Sequence, residues 1–177
     1  MKKIRSLCIA LMVMTSMASA WSKDMNGKVV YVDDGDTVVL LNETNAQVKI
    51  RLSSIDAPES SHTKKETGRI GQPYSENSGN FLASLVKGKV VNAHCFDTDM
   101  YGREICELFV TGQSVNQSMV ANGWAWANTA NHGRYLRDAS LSGLESKARA
   151  AHIGIWAGAN PVEPWEWRSK CWKKGQC

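Results

Sequence analysis

The chain has 177 residues, with 21 Lys and Arg against 17 Asp and Glu, for a formal net charge of +4. Three of the positives, Lys2, Lys3 and Arg5, lie in the first five residues, so the chain beyond residue 20 carries only +1. Bulk charge is therefore excluded as a means of holding nucleic acid, and any such role must rest on where individual charges are placed.

The first twenty residues read as a leader. A basic start is followed by the apolar run Leu7–Met14 and by Ala18-Ser19-Ala20, the small-x-small form of a signal-peptidase site. The run is shorter than the ~20 residues that span a bilayer. The expectation is a cleaved signal peptide over 1–20, an exported domain over 21–160 and a tail over 161–177. The mature protein is expected in the periplasm or outside the cell, off the membrane and monomeric.

Beyond the leader, β-branched and aromatic residues over Lys28–Val32 predict a strand, and "DDGD" at 33–36 predicts a turn. Thr37–Leu41 and Val48–Ile55 are the next strands, with "NETNA" turning the chain between them. Pro58 ends the third strand, and the polar stretch 60–71 reads as a loop. A helical stripe of Phe81, Leu82, Leu85 and Val86 follows Tyr74 and closes at Gly88. Lys89–Phe96 and Ile105–Val110 are two further strands joined by "DTDMYGRE". Ser114 is placed to cap a helix over Val115–Ala121, and Tyr135–Ala151 predicts a longer one. Ile153, Ile155 and Trp156 are expected to plug the core. The fold class is α+β, mainly β: a five-stranded OB-type Greek-key barrel with about three helices packed on it.

Four cysteines follow the leader: Cys95, Cys106, Cys171 and Cys177. Export would put them in an oxidising compartment, where four thiols allow three pairings. The reading leans to Cys95–Cys106, stapling neighbouring strands, and Cys171–Cys177, closing a short tail loop. No CxxC, HExxH or His/Cys cluster at zinc spacing is present.

"RLSSIDAPE", residues 51–59, ends an apolar strand with one arginine and two carboxylates spaced five and three apart. Asp36 and Asp56 stand at the ends of neighbouring strands. By themselves they are ordinary turn formers; together they supply the oxygen ligands that a hard cation takes, with a backbone carbonyl near Ala57 as a third. Arg51 and Arg103 carry the planar guanidinium suited to phosphate. Glu59, fixed after Pro58, is suited to orienting or deprotonating water. The set amounts to a phosphodiester-cleaving site.

Those segments resemble the thermonuclease family related to staphylococcal nuclease, over about Val29 to Trp156. The likeness is carried by "VDDGDTVVL", "IRLSSIDAPE", "DMYGREICELFV", "SVNQSMVANGWAWA" and "KARAAHIGIW". The resemblance implies Asp36 and Asp56 as carboxylate ligands of a calcium ion. Ala57, standing where the family has a threonine, would contribute its backbone carbonyl. Arg51 and Arg103 would be the catalytic arginines, Glu59 the water-activating carboxylate and Tyr101 a contact to nucleic acid. The implied activity is calcium-dependent hydrolysis of DNA and RNA with little sequence preference, leaving 3′-phosphate ends. The alternative is an inactive OB-type module that only binds single strands. Met100 stands where the family has a phosphate-contacting lysine, and "WANTANHG" lacks the family's nucleotide-flanking tyrosines. Trp126 or Tyr135 could offer a stacking face, with the core the expected place for Trp126.

Overall fold

The computed structural model describes residues 22–61 and 69–177. The expected leader and most of the 60–71 loop lie outside them. Three strands, β1 (Lys23–Val32), β2 (Thr37–Asn42) and β3 (Gln47–Leu52), form the expected antiparallel meander. A two-residue strand, β4 (Ile55–Asp56), leads to helix α1 (Ser75–Val86). Then come β5 (Val90–Thr98), β6 (Glu104–Val110) and the short β7 (Gln113–Ser114).

The barrel order is β3-β2-β1-β5-β6, and a parallel pairing of β3 with β6 closes it. Closure needs that pairing because an open five-stranded sheet would leave two edges of unpaired backbone groups. Inside sit Val29, Val38, Leu40, Ile50, Leu52, Val91, Ala93 and Leu108, all essentially inaccessible to solvent.

The remaining elements wrap one end: α2 (Val115–Ala121), β8 (Trp126–Ala127), the single turn α3 (Ala130–Gly133), α4 (Ser140–Ala150) and the single turn α5 (Pro164–Trp167). Helix α2 has the bounds expected of it, and the Ser114 hydroxyl accepts from the Gln117 N–H at 3.2 Å. Among the described residues, two of the five α-helices are one-turn pieces, too short to leave a periodic signal, which is why about three were expected.

Helix α4 begins five residues later than the expected start at Tyr135. The preceding backbone is held otherwise: the Ser54 hydroxyl accepts from the Arg137 and Asp138 N–H groups, and the Asp138 carboxylate accepts from the Ser140 N–H at 2.9 Å. These bonds offer the chain an alternative to helix. Ile155 and Trp156 are buried as expected, whereas Ile153 is 39% exposed and does not plug the core. Trp126 is buried and meets Trp156 edge-on at 5.1 Å.

Both disulfides favoured by the sequence are present: Cys95–Cys106, between directly opposed residues of β5 and β6, and Cys171–Cys177 in the tail. No helix among the described residues is long and apolar enough to cross a membrane.

One buried amide ties the helical end to the barrel. Asn116 accepts from the Leu108 N–H on β6 at 3.0 Å and donates to the Ser53 carbonyl, beside the β3–β4 turn, at 2.8 Å. Asn116→Ala should therefore strand two buried backbone groups and cost about 2–3 kcal/mol. Urea unfolding checks this; a loss under about 0.5 kcal/mol would mean that water replaces the amide.

Candidate nuclease site

The "DDGD" turn places Asp36 at the mouth of the barrel. The Asp34 carboxylate accepts from the Asp36 N–H at 3.0 Å, and the Asp33 N–H donates to the Thr37 carbonyl at 2.8 Å. Only glycine fits between them: a Cβ on Gly35 would lie 2.0 Å from Ser78 Oγ and 2.6 Å from Ala57 Cβ. That close approach presses the turn against α1 and against the segment after β4.

Across the sheet, Thr37 pairs with Arg51, which brings the Arg51 guanidinium beside the Asp36 carboxylate. Arg51 Nη1 donates to Asp36 Oδ1 at 2.5 Å, and Nη2 donates to Asp56 Oδ1 at 2.7 Å. Asp36 also accepts from the Thr37 hydroxyl and from the Ala57 N–H, each at 3.0 Å. Two strand-end carboxylates and one strand arginine therefore converge, as the sequence suggested. The bond seen at Ala57 is through its N–H.

Arg103 comes from the β5–β6 hairpin. The Asp99 carboxylate accepts from the backbone N–H groups of Tyr101 and Arg103, each at 2.9 Å, and from Arg103 Nε at 2.7 Å. Gly102, at φ 78°, makes the turn between them. Burial acts to raise the Asp99 pKa, but these donors outweigh it and hold the carboxyl below its usual range. The guanidinium also lies 5.5 Å from the Tyr101 ring, and that tyrosine is 76% exposed.

Asp36, Arg51, Ala57, Glu59, Tyr101 and Arg103 all line one cleft of about 790 Å³. Asp56 is fully buried behind that lining and reaches the cleft through its bonds to Arg51 and Arg168. Tyr135, Arg134 and Arg137 reach the rim of the same cleft. Two further participants were not singled out from the sequence. Asp34 lines the cleft, its carboxyl raised by burial and by the charges of Asp33 and Glu59, against the pull of the Asp36 N–H and Arg51. Arg168, from the tail, donates through Nη2 to Asp56 Oδ2 at 2.7 Å and through Nη1 to Asp56 Oδ1 at 3.1 Å and to Glu59 Oε1. Asp34 follows from reading its turn as part of a site. Nothing local in the tail distinguishes Arg168 from its basic neighbours.

Desolvation dominates the electrostatics. It pushes Asp36 up to about 7, with Asp34 and Asp56 adding to the shift and Arg51 and the Ala57 N–H opposing it. It raises Glu59 as well, against the pull of Arg168. Burial would lower the Arg51 pKa, but Asp36 and Asp56 more than offset it, so this arginine stays charged. Asp34, Asp36, Asp56 and Glu59 cluster about Arg51 and Arg168, while Lys49, Arg69, Arg103, Arg134 and Arg137 also line the cleft, so its acids and cations are close to balanced. Among the described residues no group of three or more His, Cys, Asp or Glu side chains is arranged to hold a metal ion. The Asp36 and Asp56 carboxylates, brought together on one guanidinium, are oxygen donors of the kind a hard divalent cation takes.

A family model described as staphylococcal nuclease homologue matches residues 49–158. The chain belongs to the staphylococcal nuclease family. Arg51, Asp56, Glu59 and Arg103 lie within the matched segment; Asp36 and Arg168 lie outside it. Membership places the chain among nucleases, hydrolases acting on nucleic acid. An Escherichia coli O157:H7 protein named as an uncharacterized endonuclease is 40% identical over 148 residues, covering 83% of this chain and 87% of its own. A Haemophilus influenzae protein of the same description is 34% identical over 163 residues, covering 92% and 84%. Staphylococcal-like nuclease CAN1 of Arabidopsis thaliana is 35% identical over 120 residues, 68% of this chain. The chain spans about a third of that plant relative and of a 38.1 kDa Capnoides sempervirens relative, but most of the bacterial ones.

The raised Asp36 ionisation has a consequence for stability. Folded Asp36 binds its proton more tightly than unfolded Asp, so between about pH 4 and about pH 7 the folded state holds more protons and stability falls as pH rises. In chelator, the Tm should drop from about pH 5 to about pH 8, and Asp36→Asn should flatten the drop. Equal slopes in both proteins would assign the pH dependence to another group.

Proposed function

We propose that this nuclease is a calcium-dependent, exported endonuclease that hydrolyses DNA and RNA phosphodiesters with little base preference and leaves 3′-phosphate ends. The observation that carries the reading is that Arg51 bridges Asp36 and the buried Asp56 at a cleft that Asp36, Arg51, Glu59 and Arg103 line.

Asp36, Asp56 and the Ala57 carbonyl would hold the calcium ion, which when bound supplies charge neutralisation and polarisation of the scissile phosphate. Arg51 and Arg103 bind the phosphate and stabilise the charge that grows on its oxygens as water attacks phosphorus. Glu59 accepts the proton of that water, and burial, by raising its pKa above the usual carboxylate value, makes it a stronger base. A metal and guanidiniums would engage phosphate and not base edges, which supports low sequence specificity. Tyr101, largely exposed beside Arg103, is placed to lie against a nucleotide. Two disulfides, together with the leader read from sequence, support export. The division into leader, nuclease domain over 21–160 and tail, and action as a monomer, belong to the same proposal.

Glu59→Gln should remove most turnover while single-stranded DNA still binds; near-normal cleavage would take Glu59 out of its role. The two arginines should behave differently. Arg51→Ala and Arg103→Ala should each cost about 10²–10³ in rate. Arg51→Ala should also cost about 3–5 kcal/mol of stability, because it leaves the buried Asp36 carboxylate without its cation. Arg103, on an exposed hairpin, should leave the Tm within about 2 °C of the parent. Rate assays beside thermal melts check both, and an unaltered rate in either variant makes that arginine structural. Digestion in calcium, then in chelator, with end-group analysis of the products, tests the reaction as a whole. Polynucleotide bound but left intact in calcium would favour the non-catalytic alternative.

A further inference from the structure

The tail beyond residue 158 lies outside the family match, yet it is built into the cleft. Trp167 and Trp172 both donate their indole N–H to the Ile70 carbonyl, at 3.2 Å and 2.8 Å. Gln72 donates its side-chain amide to the Val162 carbonyl. The Arg69 guanidinium sits 5.0 Å from the Trp172 ring, and the Cys171–Cys177 disulfide closes the end of the chain. Together these contacts aim Arg168 into the site, where its guanidinium spans Asp56 and Glu59.

We propose that Arg168 is a third phosphate-binding guanidinium of the cleft, delivered by the disulfide-closed tail. The inference rests on the nuclease reading above and adds to it a substrate contact from outside the matched domain. Anchoring the tail does not require this arginine, since indoles, amide and disulfide already hold it. Desolvating an arginine beside a fully buried carboxylate is also a costly way to hold a chain end. What the arginine adds is a planar fork whose natural partners are carboxylate and phosphate alike. Its side chain is 34% exposed and lines the same cleft as Arg51 and Arg103, so substrate can reach it. On the carboxylates it is held charged and ready. A phosphodiester entering the cleft offers the fork a second anionic partner at the same place. The result is three guanidiniums around one phosphate, two from the barrel and one from the tail.

The test uses the full chain in calcium. A fluorescein-labelled single-stranded oligothymidylate is titrated by anisotropy across a range of NaCl, in a Glu59→Gln background so that it is not consumed. Adding Arg168→Met should weaken binding about tenfold and reduce the slope of log affinity against log salt by about 0.7, the mark of one lost phosphate contact. Arg168→Lys should keep the slope, because the charge remains. With Glu59 restored, it should lose about tenfold in kcat/KM, because a point charge does not reproduce the fork. Unchanged affinity and slope in a folded Arg168→Met protein would overturn the proposal and assign the residue to tail anchoring. Tighter binding or faster cleavage would overturn it the other way, as a plug drawn across Asp56. If Arg168→Met does not fold, the lysine variant decides alone: parent-like kcat/KM refutes the contact. Parent protein that neither binds nor cleaves would sink the nuclease reading itself, and this inference with it.

Discussion

Two carboxylates buried at the mouth of a barrel repel one another and have lost their water. In this fold the Arg51 guanidinium makes that tolerable by donating to both. The local architecture is organised around that bridge. The β2–β3 register sets Thr37 opposite Arg51, the Asp36 carbonyl takes the Leu52 N–H at 2.8 Å, and the Ala57 N–H caps the far oxygen of Asp36. A one-residue slip in β3 would turn Arg51 to the other face, leaving Asp36 without its cation and Asp56 with Arg168 alone. The register that closes the barrel is thus the register that assembles the site.

The bridge does not make the site electrostatically comfortable. Asp36 remains raised to about 7 with Arg51 in place, because desolvation and the neighbouring Asp34 and Asp56 outweigh the arginine. Such strain is stored at functional sites and offset by the surrounding fold. Here the offset comes from a closed barrel with a full apolar core, a cross-strand disulfide and the Asn116 tie. The cleft combines parts of different stiffness. Arg51 sits on a central strand, Arg103 on a hairpin braced by its own Asp99, and Arg168 on a tail fixed by two indoles and a short disulfide loop.

Much of this could be read from the sequence, because it follows from local chemistry. The strands of the meander, the Ser114 cap and the closing Gly88 each announce themselves within a few residues. So do the candidate site residues, whose spacing at strand ends places them together once the strands pair. The start of α4 was missed because the bonds that delay it come from Ser54, some eighty residues away. The strands β4 and β8 are two residues each and leave no periodicity. Arg168 was illegible for the same reason as the α4 boundary. Its partners are 112 and 109 residues distant, and in sequence it is one basic residue among several in a tail.

That long-range contact also bears on how the site keeps its charges ready. A guanidinium left in water would have to shed its hydration and choose a rotamer when substrate arrives, and both steps cost rate. Arg51 and Arg168 have already done so, since each is held by a carboxylate before any phosphate is present. Exchanging one oxyanion partner for another keeps the donors in place and changes only the acceptor. Under the proposed function these carboxylates would serve two ends: they would give a divalent cation its oxygens and hold the arginines oriented until a phosphate came. A cleft built in this way needs no excess of positive charge over the rest of the molecule, which is consistent with a chain that is nearly neutral beyond residue 20.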